Sequence, residues 1–453
     1  MRKPFFITFF LFLLFQVSCS DLSEDPSSQD EPLEILETLL PRAQVQFTQT
    51  HGYHYAVFSA LITQQVSGLH QQALRIDKYD ISPTDTEAPW GNYYTDVLSI
   101  LSSIKNTAEE ADQKKYNAIA HIMMAHTIGL ISDHWGDIPF SDSFLSDNGA
   151  TYPSYDKQED IYEHIFILLD EAEQLLIDGA SFPYPGEEED LFFQGNAQQW
   201  LQFINYLRLK YYLHLSQRKP HTDVTNLLDE PMFQQPGQSM KLNFQDFEFV
   251  HNPLYLYLTI NPGSLRAGET LISLMKDDDP RLEVYFRKND DEQYAGSAPG
   301  AADSNASLPG SFFTAPNAQI TLASFTEQKF MKAEIHYNNG NEQEAGEALV
   351  DAIASSLQDY DVYDQQWLDE TTTTLDINLK TIMEQKYIAL FMQPQVWTDW
   401  RRTGFPGIEP SIGNFTQDRI PRRLPYAQSE FDLNPDNVIT DLEIWDRVWW
   451  DVE

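Results

Sequence analysis

Cysteine is almost missing from this chain of 453 residues. The single one forbids any intrachain disulfide, and it excludes zinc sites built from several thiolates and multi-cysteine iron–sulfur clusters within one chain. Basic residues are scarce too. Against 69 Asp and Glu stand 29 Lys and Arg, a formal charge of −40. Phosphate backbones and anionic lipid surfaces repel such a chain, which argues against nucleic acid as a partner. Catalytic signatures are also absent: no G-x-S-x-G elbow, H-E-x-x-H helix, Walker loop or G-x-G-x-x-G occurs. With so many acids, carboxylate pairs arise by chance, and no glycosidase pair can be singled out. His51 and His54 share a spacing that could serve a metal, but no carboxylate sits at the matching turn. Asp277-Asp278-Asp279 lacks the glycine and the alternating ligands of a calcium loop and reads as a turn before Pro280. What the chain has in quantity is apolar and aromatic residues, 42% and 13% respectively. That is enough for a large core, with rings to spare for a surface.

The lone cysteine is Cys19. Ahead of it come Arg2 and Lys3, an apolar run from Phe5 to Phe15, and Gln16-Val17-Ser18. The run is short for a bilayer span, and a small residue directly before the cysteine suits a lipoprotein signal peptidase. We therefore read residues 1–18 as a leader and Cys19 as a lipidation site, although Gln16 departs from the apolar residue usual there. An ordinary secretory leader with an incidental cysteine is the competing reading. Residues 19–32 are polar and acidic, as in a flexible tether, and 33–453 are expected to form one domain. No later apolar stretch reaches spanning length, so lipid should anchor the mature chain, whose side-chain charge without Arg2 and Lys3 is −42.

From Leu33 the apolar spacing is mainly helical. Tyr116 to Ile131 carries small and apolar residues on several faces, as in a helix packed on more than one side. Ile161, Ile165, Leu168, Leu169, Ala172 and Leu176 mark a second helix, stopped by Gly179. A third runs through Trp200, Phe203, Ile204 and Leu207, with Asn196 as its N-cap. A helix pair from Thr326 to Leu357 turns at Asn338-Asn339-Gly340-Asn341. Its Ala333, Ala345, Leu349 and Ala352 match the small, small, large, small positions of a tetratricopeptide repeat. No regular array accompanies it, and an unrelated helical hairpin stays open. Irregular composition marks 287–321 and 405–437.

Several motifs occur in one order: Trp135-Gly136-Asp137-Ile138-Pro139-Phe140 after a long helix, then Tyr152-Pro153-Ser154-Tyr155-Asp156, Asp190-Leu191 before Trp200, and Asp279-Pro280-Arg281-Leu282. Tyr294-Ala295-Gly296, Gln385-Lys386, Trp400-Arg401-Arg402-Thr403-Gly404 and Arg422-Arg423-Leu424-Pro425-Tyr426 follow. Together they resemble the SusD/RagB family of outer-membrane nutrient-binding lipoproteins. Gln395, just before Trp397, stands where that resemblance leads us to expect glutamate. The resemblance implies a mostly helical fold in which degenerate tetratricopeptide-like pairs form a scaffold and irregular segments form the ligand face. It also implies a cell-surface, lipid-anchored place on the outer membrane, a TonB-dependent (SusC-like) transporter as partner, oligosaccharide or peptide as cargo, no cofactor and no catalysis. An all-helical lipoprotein glycoside hydrolase and a helical-repeat assembly scaffold are the alternatives.

Most of the signature reads as structural: Asp137 as a cap, Arg401 and Arg402 as buried ion pairs and stacking partners. Ligand contacts are expected from irregular segments, where sugars stack on aromatic rings and bond to Arg, Asp and Asn. The candidates are His70, Arg75, Asp77, Tyr79, Trp90 and Asn92 in one segment, and Tyr294, Phe312 and Phe313 in another. For the stretch opened by Trp90, burial of its rings at a helix start is the rival reading.

Overall fold

In the computed structural model, residues 32–145, 151–179, 185–186, 188–220, 224–244 and 251–452 are described; Cys19, the leader and most of the tether lie outside them. The first helix, Pro32–Thr50, continues through a π-helical turn, His51–Tyr55, into Ala56–Ile62. A second run repeats the device: Glu87–Gly91, a π-helical turn at Asn92–Leu98, then Ser99–Glu110. Between these and later helices lies Lys114–Trp135, with every side chain from Tyr116 to Trp135 buried. This is why its apolar pattern has no single face. Gly129 in this helix is required by a neighbour, since an added Cβ would lie 2.2 Å from the Tyr211 hydroxyl. The helices Gln158–Asp178 and Ala197–His214 follow, the latter capped by the Asn196 carboxamide, which accepts from the N–H groups of Gln198 and Gln199.

The helix pair is Phe325–Asn338 and Glu342–Asp359, with Ala333, Ala345, Leu349 and Ala352 fully buried. Leu379–Ala389 and Gln395–Thr403 complete the helical body. Sheet is confined to two short antiparallel pairs among the described residues. Val66–Gly68 joins Leu265–Ala267, and Met240–Leu242 joins Ile320–Ala323.

The signature residues are fixtures of the scaffold. Gly136 turns the chain out of its helix at φ +85°, and Trp135 Nε1 donates to the Pro425 carbonyl at 2.6 Å. Asp137 accepts from Gln158 N at 2.9 Å, capping the next helix, and pairs with Lys157 at 2.8 Å. Arg402 forks onto the Glu334 carboxylate and reaches Asp399 at 2.9 Å, while Lys386 meets Asp399 at 2.7 Å; all four are buried. Burial raises the pKa of Asp399, but the Lys386 ammonium and the Arg402 guanidinium outweigh it and hold the group below the usual carboxylate range. Arg401 lies between the rings of Trp397 and Trp450, 4.3 and 4.7 Å from their centroids.

Gln395 now has a physical reason. His214 Nδ1 lies 3.2 Å from Asp133 and gives its proton there, which leaves Nε2 an acceptor 3.0 Å from the Gln395 amide nitrogen. The same amide donates to Asp399 at 3.1 Å. A carboxylate at 395 could donate to neither and would add a like charge beside Asp399.

Candidate functional site

Four segments, 64–80, 262–269, 294–300 and 409–415, are tied together by a buried knot. Asp77 is at its centre. The helix Gln71–Asp77 delivers its carboxylate beneath the first strand pair, where one oxygen accepts from Ser67 Oγ (2.8 Å), Gly68 N (2.9 Å) and Gly300 N (3.0 Å). Burial pushes its pKa up to about 6, against the pull of these donors, and its other oxygen has no partner among the described residues. Gly300 has φ +76°, and a Cβ there would lie 2.4 Å from the Ile412 carbonyl oxygen. Ile412 N in turn donates to Pro299 O at 2.8 Å, and Phe415 N to Lys78 O at 2.9 Å. The Tyr79 hydroxyl accepts from Ser411 N at 3.2 Å. Asp77 and Tyr79, expected to touch ligand, are instead buried and hold the loops that form the face.

Other expected residues do reach the surface. Arg75 grips Asp85 with two nitrogens at 2.5 and 3.2 Å while its side chain stays 42% exposed. His70 is half-buried, its Nε2 3.2 Å from the Pro262 carbonyl oxygen and its Nδ1 without a partner among the described residues. Tyr294 is half-buried under the Lys288 ammonium, 5.7 Å from its ring centroid. Beside Pro262 a cleft of about 230 Å³ opens between Tyr255, Leu258 and Gly263 on one side and Arg287, Leu308 and Pro309 on the other. Near the knot, Ile412 and Phe415 are 61% and 69% exposed.

The remaining candidates sit elsewhere. Trp90 is buried against Tyr94, Trp135 and Tyr426, and its Nε1 donates to Glu430 at 3.1 Å; the rival reading of this stretch describes its placement. Asn92 is half-buried on the π-helical turn that follows. Phe312 and Phe313 are half-buried and pack on Tyr360 and, for Phe313, on Phe391 and Tyr285. They wall a narrow cavity of about 60 Å³ that also holds His51, Lys241 and Asp359. Burial raises the Asp359 pKa to about 6, and Thr326 Oγ1 donates to it at 2.5 Å. Sequence reasoning missed Tyr255, Arg287, Ile412 and Phe415. Tyr255 belongs to an apolar stretch that reads as core, while Phe415 offered one signal, an aromatic in a Pro- and Gly-rich segment.

Among the described residues no group of three or more His, Cys, Asp or Glu is placed to hold a metal, and no helix is long and apolar enough to cross a membrane. The pieces are a helical body, loops knotted together, and a cleft lined by one tyrosine, one arginine and apolar residues. Residues 28–427 match the SusD-like family described as starch-binding and associating with the outer membrane. The chain belongs to the SusD-like family. No curated protein matches it in sequence. Solved structures match over nearly the whole chain. A chitin-binding protein has 22% identity and a TM-score of 0.79, covering 92% of this chain and 100% of its own. A chitin-binding SusD homolog from Flavobacterium johnsoniae has 20% identity and a TM-score of 0.76, covering 92% and 98%. A SusD homolog from Bacteroides uniformis has 18% identity and a TM-score of 0.80, covering 92% and 99%. At these identities the structures establish the mostly helical SusD-like fold.

Proposed function

We propose that this SusD-like protein is a cell-surface lipoprotein that captures an oligosaccharide on its irregular face and hands it, without chemistry, to a TonB-dependent outer-membrane transporter. The observation that carries the reading is the match of 28–427 to a family described as starch-binding. The cleft beside Pro262 supplies a means: the Tyr255 ring can stack on a sugar face, and the Arg287 guanidinium can bond hydroxyls. Arg75, His70 and Tyr294 flank this face as contacts, and Phe415 extends its aromatic surface. Anchoring is through Cys19, the tether follows to residue 32, and 33–453 act as one domain.

The test is a glycan and peptide array probed with soluble protein lacking residues 1–19. Retention of oligosaccharides is expected. Retention of peptides alone would change the cargo, and release of products from a glycan would overturn the binding role in favour of a hydrolase. Replacing Cys19 with Ala should move the protein from the membrane fraction to the soluble one. Deleting the protein should depress uptake of the bound glycan through its transporter.

A further inference from the structure

The helix Pro253–Ile260 divides two hollows. Tyr255 lines the cleft described above, whereas Tyr257, two residues on, lines a second hollow of about 200 Å³. With the π-helical turn His51–Tyr55, an irregularity of a kind that recurs at functional sites, Tyr257 forms one wall. Three rings follow one another along this wall. Tyr53 lies 4.4 Å from His54 and 5.0 Å from Tyr257, centroid to centroid. Val57, Phe58 and Ile76 add apolar lining, and Gln72, Thr84 and Asp85 supply polar groups.

The hydrogen-bonding groups of this hollow are partly open. Gln72 uses its amide nitrogen on Asp85 at 3.0 Å, leaving its carbonyl oxygen as an acceptor. Among the described residues, no hydrogen bond engages the Tyr53 hydroxyl or the His54 imidazole, both half-buried. Asp85 is the one carboxylate in the lining, and Arg75 neutralises it through two contacts. Burial lowers the His54 pKa to about 4 and raises that of Tyr53, so both rings are uncharged at neutral pH. The lining therefore has no net charge once Arg75 is counted. The chain around it carries a large negative one.

We propose that this hollow is a second saccharide subsite, which takes one uncharged sugar ring against Tyr53 and Tyr257 and bonds its hydroxyls through Tyr53, His54 and Gln72. A flat C–H face suits the ring wall, the polar groups suit hydroxyls, and the surrounding acidity disfavours uronic or sulfated units. The inference rests on the glycan-capture reading and adds a place and a charge class to it.

Titration calorimetry of the soluble mature protein tests it, with chitin oligomers and malto-oligosaccharides as neutral probes and oligogalacturonate as the acidic one. Tyr53→Ala should weaken binding of the neutral probe at least tenfold, with Tyr53→Phe retaining most of the affinity because the ring stays. Ala88→Trp, a substitution at an exposed position on the lining, should block the hollow without removing a core side chain and should weaken binding comparably. If the wild type binds a neutral probe and Ala88→Trp, shown folded by circular dichroism, binds it equally well, the second subsite is overturned while glycan capture stands. If oligogalacturonate binds as tightly as the neutral probes, the charge class is overturned. If the wild type binds none of the three and retains peptides on the array, the glycan reading itself fails.

Discussion

Two arginines in this protein hold carboxylates in similar forks under different conditions. Arg402 is sealed with Glu334, Asp399 and Lys386 where the helix Gln395–Thr403 meets the helix pair. Arg75 holds Asp85 on the irregular face with much of its guanidinium in water. The groups are chemically alike, but removing one partner has different consequences. In the interior the orphaned charge of Glu334 has no other partner to turn to, whereas Asp85, itself buried, keeps its bonds from Ser82 and Gln72 when Arg75 is lost. The signature motif around Arg401 and Arg402 therefore reports on the scaffold. The residues proposed to face ligand are less conspicuous in the sequence.

The contrast can be broken most strongly at Arg402. Arg402→Met should leave Glu334 uncompensated and Asp399 with Lys386 alone, and cost about 3–5 kcal/mol, read as a lower urea midpoint. Asp77→Ala comes next, since it strands three donors in the knot. We expect a loss of about 1–3 kcal/mol, with faster amide exchange at Gly68 and Gly300. Asp77→Asn keeps an acceptor for those donors and should cost less; equal costs for both would show that the knot does not depend on acceptance. Gln395→Glu should destabilise by about 1–2 kcal/mol, because it removes the donor to His214 and Asp399. Arg75→Ala should cost least in the same melts, about 1 kcal/mol, because Ser82 and Gln72 still bond the buried Asp85 carboxylate.

Titration sharpens the comparison further. Burial lowers His51 and His134 to about 3 and His54 to about 4, so the unfolded chain takes up protons more readily than the folded one. The stability they contribute is present above about pH 6.5 and is lost as pH falls. Asp77 and Asp359, raised to about 6, act in the opposite sense: the folded state holds their protons more tightly, and stability falls as pH rises from about 4 to about 6. Three groups oppose two, so these residues together should make the urea midpoint rise with pH across this range. Asp77→Asn should steepen the rise, and an unchanged slope would show that Asp77 is not titrating there.

Much of the scaffold was legible because its signals are local. Gly179 ends its helix, Asn196 caps the next, and the Asn338 to Asn341 turn falls between the paired helices. The site was less legible. Asp77 has the composition of a sugar contact, yet its partner Gly300 is 223 residues away in sequence. Phe312 and Phe313 look like exposed rings until Tyr360 and Phe391 are placed beside them. Tyr53 and His54 lie on a helical stretch where nothing local distinguishes a wall facing a hollow from one facing the core.

By itself, the sequence determined the helical class, the family and the limits on charge and thiol chemistry. Periodicity, capping and composition act over a few residues or over the whole chain, and each can be read without a fold. The tertiary structure decided which polar and aromatic side chains are enclosed and which meet solvent. Burial is the work of neighbours far apart in the chain. Asp77 therefore became a fastener, while Tyr53, His54 and Tyr257 were left lining a hollow.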